Sequence, residues 1–146
     1  MGAQPPYAPQ AQPAAPLGPP DPNGYGAAIM RLAGASRKNA KVAIGIANVL
    51  LDEGEIVAVA VAGKVLGHAA VAAYTNKRLL IVNDREWQPL VEEMEIKPDL
   101  QVQGWQDDRH ASLTFQAGDR TIAVEQIRDR QLAQELAQRL RADTGT

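Results

Sequence analysis

The stretch from His68 to Val82 limits what this chain can fold into more than any other. A short apolar run ends at Tyr74-Thr75, and an unbroken one, Leu79-Leu80-Ile81-Val82, begins after Asn76-Lys77-Arg78. A connection that short holds a tight reversal and no helix, so the two runs form an antiparallel hairpin. The same rhythm continues on both sides. Seven segments read as strands: Glu55 to Ala62, His68 to Thr75, Arg78 to Asp84, Trp87 to Ile96, Leu100 to Gln106, Ala111 to Ala117 and Thr121 to Gln126. The junctions carry turn chemistry in Gly63 and Gly67, Asn76, Asn83-Asp84, Pro98-Asp99, Asp107-Asp108 and Gly118-Asp119. Period-two alternation assigns Val57, Val59, Val61, Leu100, Val102, Gly104, Leu113, Phe115, Ile122 and Val124 to the core. Short strands joined by tight turns exclude a parallel α/β sheet, which needs a helix between strands. What remains is a closed or nearly closed antiparallel barrel or sandwich, whose closure removes exposed edges.

After Ile127 the apolar period changes to that of a helix. Leu132, Ala133, Leu136, Ala137 and Leu140 form one stripe, expected to cover an open end of the barrel, with Arg128, Arg130, Glu135, Gln138, Arg139 and Arg141 toward solvent. Residues 27–51 precede the strands as an amphipathic basic leader helix, with Ile29, Leu32, Ala43, Ala47 and Leu50 on one face and Arg31, Lys38 and Lys41 on the other. Gly34 and Gly45 are its candidate breaks. Residues 1–26 mix Pro, Ala, Gln and Gly without apolar periodicity and read as a disordered tether. The organisation is therefore a tether (1–26), a leader helix (27–51), a β-domain with its helix (52–142) and a disordered end (143–146).

Composition narrows the function classes. A formal net charge of −2 argues against nucleic acid as a partner of the whole chain, and the absence of cysteine excludes disulfides, thiolate chemistry and cysteine-ligated zinc. No secretory signal is expected, and Arg31, Arg37, Lys38 and Lys41 interrupt the longest apolar stretch, so a cytoplasmic protein is the expectation. His68 and His110 lack a carboxylate constellation, and Glu92, Glu93, Glu95 and Asp99 lack the loop of a cation site. No catalytic residue, metal or cofactor is expected.

Seven antiparallel strands followed by one amphipathic helix is the element order of the pleckstrin-homology (PH) fold. The chain resembles the bacterial PH-like family in Leu51-Asp52-Glu53-Gly54-Glu55, where a helix runs through an acidic turn into a strand, and in the hairpin Tyr74-Thr75-Asn76-Lys77-Arg78-Leu79-Leu80-Ile81-Val82. The resemblance spans about Leu50 to Arg141. It implies a mainly β, seven-stranded barrel capped by a C-terminal helix, acting as a binding or assembly module without enzymatic activity. It does not imply phosphoinositide binding. The first strand loop offers only Lys64, the second strand carries no base, and the tryptophan typical of the eukaryotic terminal helix is missing.

Two sets of residues remain as candidate contacts. Arg31, Arg37, Lys38 and Lys41, helped by Lys64 or by Lys77 and Arg78, are the candidate contacts to an anionic lipid surface at the inner face of the cell membrane. Trp105 shares strand parity with Gln101 and Gln103, which puts it outside the barrel as an interface anchor or beneath one of the helices. The leading expectation is a protein-interaction or oligomerisation module, the leader helix lying on its own barrel or on a second copy. The alternative is a peripheral membrane module.

Overall fold

The computed structural model of the chain describes residues 20–146. Seven strands, β1 (Val57–Val65), β2 (His68–Thr75), β3 (Arg78–Asn83), β4 (Val91–Glu95), β5 (Leu100–Gln106), β6 (Ala111–Ala117) and β7 (Arg120–Ile127), form one antiparallel sheet in the order β4-β3-β2-β1-β7-β6-β5. Helices α1 (Tyr25–Met30), α2 (Gly34–Asn39) and α3 (Lys41–Leu50) precede it, and α4 (Arg130–Thr144) closes the chain. This is the seven-stranded, helix-capped PH-like architecture that the resemblance implies. The sheet curls around an inner core that α4 seals with Leu132, Ala133, Leu136, Ala137 and Leu140. It does not close. β4 and β5 are edge strands, so the expected loss of edges does not occur.

β1 continues through Gly63, a position expected to be a turn. A Cβ there would run into the Glu125 backbone oxygen, so glycine is what lets β1 and β7 cross where Lys64 pairs with Glu125. The reversal is instead Leu66-Gly67, both with positive φ, the twist that a two-residue hairpin requires. β4 is shorter than expected because the segment after Asn83 loops outward. The Asn83 side chain holds that loop by accepting from the Arg85 and Leu90 N–H groups. Trp87 stands at its tip, fully exposed and with φ 70°.

The sheet has a second core on its outer face. Tyr25 and Ala28 of α1 and Ala43 and Ala47 of α3 pack on Val57, Ala60, Val71, Ala73, Leu80 and Val82. An irregularity between Val57 and Val59 turns Val57 to this outer side, while Val59 and Val61 stay inside. Strands β1 to β3 are thus buried on both faces, which is why Leu79-Leu80-Ile81-Val82 and Ala69 to Ala73 are unbroken apolar runs rather than alternating ones. The leader docks on its own sheet.

Three boundaries differ from expectation. The leader is three short helices rather than one, with breaks at Arg31–Ala33 and at Ala40, and Gly45 interrupts nothing. Much of the expected tether lies outside the described residues, but residues 20–26 are ordered. Asp21 accepts from the Gly26 and Ala27 N–H groups, the Asn23 amide donates to Asp52 O and Glu55 O, and the buried Tyr25 hydroxyl donates to Ile44 O at 2.8 Å. Residues 143–146 are likewise held: α4 runs to Thr144, whose hydroxyl donates to Leu140 O, and the Tyr74 hydroxyl donates to Asp143 at 2.6 Å. A low-complexity composition obscured these isolated anchors.

Docking in cis predicts that Tyr25→Ala, by opening a cavity under α1 and α3, lowers unfolding free energy by about 3 kcal/mol. Urea denaturation with an unchanged midpoint would show that the leader contributes nothing to the folded domain.

Candidate functional site

Arg78, expected to be a candidate anion contact at a hairpin tip, is instead the centre of a buried knot. Its side chain is only 12% exposed, and Glu55, with a fully buried side chain, faces it. The pairing is bidentate: Nε donates to Glu55 Oε2 at 2.8 Å and Nη2 to Glu55 Oε1 at 2.9 Å. Nη2 also donates to Leu50 O at 2.6 Å, and Nη1 lies 2.8 Å from Glu93 Oε1. Glu55 accepts further from the Thr75 hydroxyl and the Asp52 N–H. Asn76 completes the knot by accepting from the Ile56 N–H. With its donors taken by the chain, Arg78 is a structural residue.

The leader bases do not act as one face. Arg31 makes a bidentate pair with Glu135 of α4, at 2.7 and 2.9 Å, and the Arg37 guanidinium donates to Met30 O and Leu32 O. Asp129 ties the same region down by accepting from the Ala33 N–H and the Ser36 hydroxyl. Lys38 and Lys41 remain exposed, on a leader whose Tyr25, Ala28, Ala43 and Ala47 are buried on the sheet while Met30, Val42 and Val49 face outward. Lys77 is exposed beside the knot, its Nζ 3.4 Å from Glu53 O, and Lys64 is exposed on β1 beside β7. The structure therefore divides the basic residues among separate places.

Trp105 is 63% exposed, on the outward row of β5. Beside it lies a depression of about 250 Å³ between β5, β6 and α4, with Gly104, Ala111, Leu113, Ala133 and Ala137 among its lining. Its origin is a run of small side chains. Gly104 occupies the core-facing row of Leu100 and Val102 but fills nothing, and Ala133 and Ala137 face it one helical turn apart, so β5 and α4 meet without closing the gap. Gln134, Gln138 and Arg141 edge the depression, and Arg141 also donates to Val102 O at 3.2 Å. The sequence carried this signal in a glycine at an inward strand position opposite two alanines of the terminal stripe. The exposed Trp87 lies in a loop where the sequence pattern predicts the start of a strand, so the pattern does not single it out.

No family model and no curated protein matches the chain. A crystal structure of a pleckstrin homology domain from Shewanella amazonensis SB2B is similar in shape, with 15% sequence identity and a TM-score of 0.45. The match covers 74% of this chain and 99% of that one. Nothing about ligands or partners carries over at that level of likeness. Among the described residues no helix is long and apolar enough to cross a membrane, and no group of His, Cys, Asp and Glu is placed to hold a metal ion.

The buried pair makes stability depend on acid. Burial by itself would raise the Glu55 carboxyl, but the Arg78 guanidinium, the Asp52 N–H and the Thr75 hydroxyl override it and hold the group at about 2, against an ordinary 4.5. A lowered folded-state value means stabilisation that is complete above the unfolded value and fades as pH falls toward the folded one. Between pH 4.5 and about 2 the domain is expected to lose on the order of 3 kcal/mol through this group. Denaturation followed across that range should show the loss in the native chain, with the Glu55 contribution absent in Glu55→Gln. Arg78→Ala, which strands a buried carboxylate, is expected to cost about 3 to 5 kcal/mol at neutral pH, and an unaffected midpoint would refute the structural role.

Proposed function

We infer that this chain is a non-enzymatic protein-interaction module of the PH-like type, and that its contact site is the depression between β5 and α4 with Trp105 on the rim. The observation that supports this most is the coincidence, in one place, of an unfilled apolar hollow, an exposed large aromatic and an edge strand. An apolar side chain of a partner would fill the space that Gly104, Ala133 and Ala137 leave empty. Trp105 would cover it, and the edge of β5 offers backbone groups to an extended segment. Gln134, Gln138 and Arg141 supply a polar rim.

The partner is read as an extended protein segment with an apolar anchor, belonging to another protein or to a second copy of this chain. The inner apolar face of the leader is satisfied in cis, so what it offers to self-association is limited to the exposed Met30, Val42 and Val49. Peripheral attachment to anionic lipid through Arg31, Arg37, Lys38 and Lys41 has weaker support, because the first two bases have partners in the chain. What Lys38 and Lys41 could add is about 1 kcal/mol each near an anionic surface, fading with salt.

Panning a library of random peptides against the folded chain tests the reading. Selected peptides should share a recurring apolar residue and lose about 2 kcal/mol of binding energy to Trp105→Ala. Gly104→Val, which fills the hollow from a position where a Cβ meets only Leu113 Cδ2 at an ordinary 3.5 Å, should abolish binding and leave the thermal midpoint nearly unchanged. Peptides that bind both variants like the parent chain would refute the site. Molar mass at high micromolar concentration decides whether a second copy occupies it.

A further inference from the structure

A groove of about 530 Å³ opens between α1 and α3, walled by Ile29 and Met30 on one side and by Ile44 and Asn48 on the other. Two glycines give it its depth. Gly45 of α3 belongs to the lining, and a Cβ added there would meet nothing within 4 Å. Gly26 of α1 is the other, where an added Cβ would touch only the Asp21 carboxylate at 3.3 Å. Gly45 lies inside α3 without breaking it, so what it contributes is missing volume rather than backbone freedom. The width is fixed, because the buried Tyr25 ties the two helices together through its hydroxyl bond to Ile44 O. Ile29 and Ile44 are half-buried here and Met30 is 67% exposed, so the walls carry apolar surface that the domain itself leaves uncovered.

The chain itself arrives at this groove. Pro20, the first described residue, is part of the lining, and Asp21 fixes the point of entry by accepting from the Gly26 and Ala27 N–H groups. The sequence before Pro20 is matched to such a place in three ways. It holds no charged side chain, so burying it against apolar walls costs no charge desolvation. Pro13, Pro16, Pro19 and Pro20 lack an N–H, which reduces the donors that an apolar wall would leave unpaired. Leu17 is the only large aliphatic residue from Gln10 to Pro19, and it stands three residues before Pro20, a span of about 9 Å in extended proline-rich chain. A tether that short holds the segment at roughly millimolar local concentration, so a contact too weak to form between separate molecules forms within one.

We propose that the groove between α1 and α3 is the docking site of the chain's own segment before Pro20, with the Leu17 side chain filling the space over Gly45 between Ile29 and Ile44. Asn48 supplies a carboxamide to the carbonyls that a proline-rich segment still carries. Docking there covers part of Met30 and leaves Lys38 and Lys41 in solvent. The groove shares no residue with the depression beside Trp105, so occupying one does not obstruct the other.

The test is methyl NMR of the full chain labelled at Leu, Ile and Met. Nuclear Overhauser contacts are expected from the Leu17 methyls to those of Ile29, Ile44 or Met30. Gly45→Met fills the groove from a position with open space around it, so the fold and its amide spectrum should persist while those contacts vanish. The Leu17 methyl shifts should then move to the values of a free peptide of the same sequence. Leu17→Ser, which alters no residue of either core, should displace the Ile29 and Ile44 methyl signals of the folded chain. A sample mixing labelled and unlabelled copies distinguishes the source of the segment. Contacts seen only within one copy support the proposal, and contacts between copies assign the groove to a second chain and overturn it. Leu17 methyls that show no contact with the groove and do not respond to Gly45→Met overturn it as well.

Discussion

The buried pair of Glu55 and Arg78 ties together the end of the leader, the β2–β3 reversal and the edge strand β4. A fully buried carboxylate is tolerable only with near-complete hydrogen bonding, and here it receives the guanidinium, a hydroxyl and a main-chain N–H. Each donor comes from a different place: the turn after the leader, the end of β2 and the start of β3. The same guanidinium reaches back to Leu50 O at the end of α3 and across to Glu93 on β4. One charge therefore fixes where the leader ends, how the hairpin reverses and where the edge strand lies. Hydrophobic burial supplies most of the driving force, but it is indifferent to such register, and the pair is not.

Around that anchor the fold is built from small aliphatic side chains. Alanine at many positions of β1, β2 and α3 lets a helix layer sit close on the outside of a sheet that is already packed within. The same economy leaves a gap where small residues meet without a large one to answer them. Gly104 and the two alanines of α4 are such a case, so the one apolar hollow offered as a contact site follows from the packing style of the whole domain.

The strands were legible in the sequence because turn residues bracket them and because hairpin loops are too short for alternatives. β2, β5 and β6 fall where the pattern puts them. Less was legible wherever a residue acts through a distant partner. Arg78 looks like any charged turn residue until Glu55 is brought under it, and Tyr25 looks like part of a tail until Ile44 O accepts from its hydroxyl. The unbroken run Leu79-Leu80-Ile81-Val82 fits a strand covered on both sides, but on its own it predicts no more than one arm of a hairpin. What it could not say is that the covering layer is the chain's own leader. The candidate site was legible in part: parity placed Trp105 outside, while the hollow beside it depends on which helix residues face Gly104.

The covering of β1 to β3 on both faces makes these strands a partition one residue thick between two cores. Val71 and Ala73 look toward the leader while Ala70 and Ala72 look toward the barrel, and a shift of backbone on one side is felt at once on the other. The two compartments therefore cannot melt independently. The leader is part of the cooperative unit, and a fragment cut at the boundary that the sequence suggests, between residues 51 and 52, would leave a greasy wall facing water rather than a smaller domain.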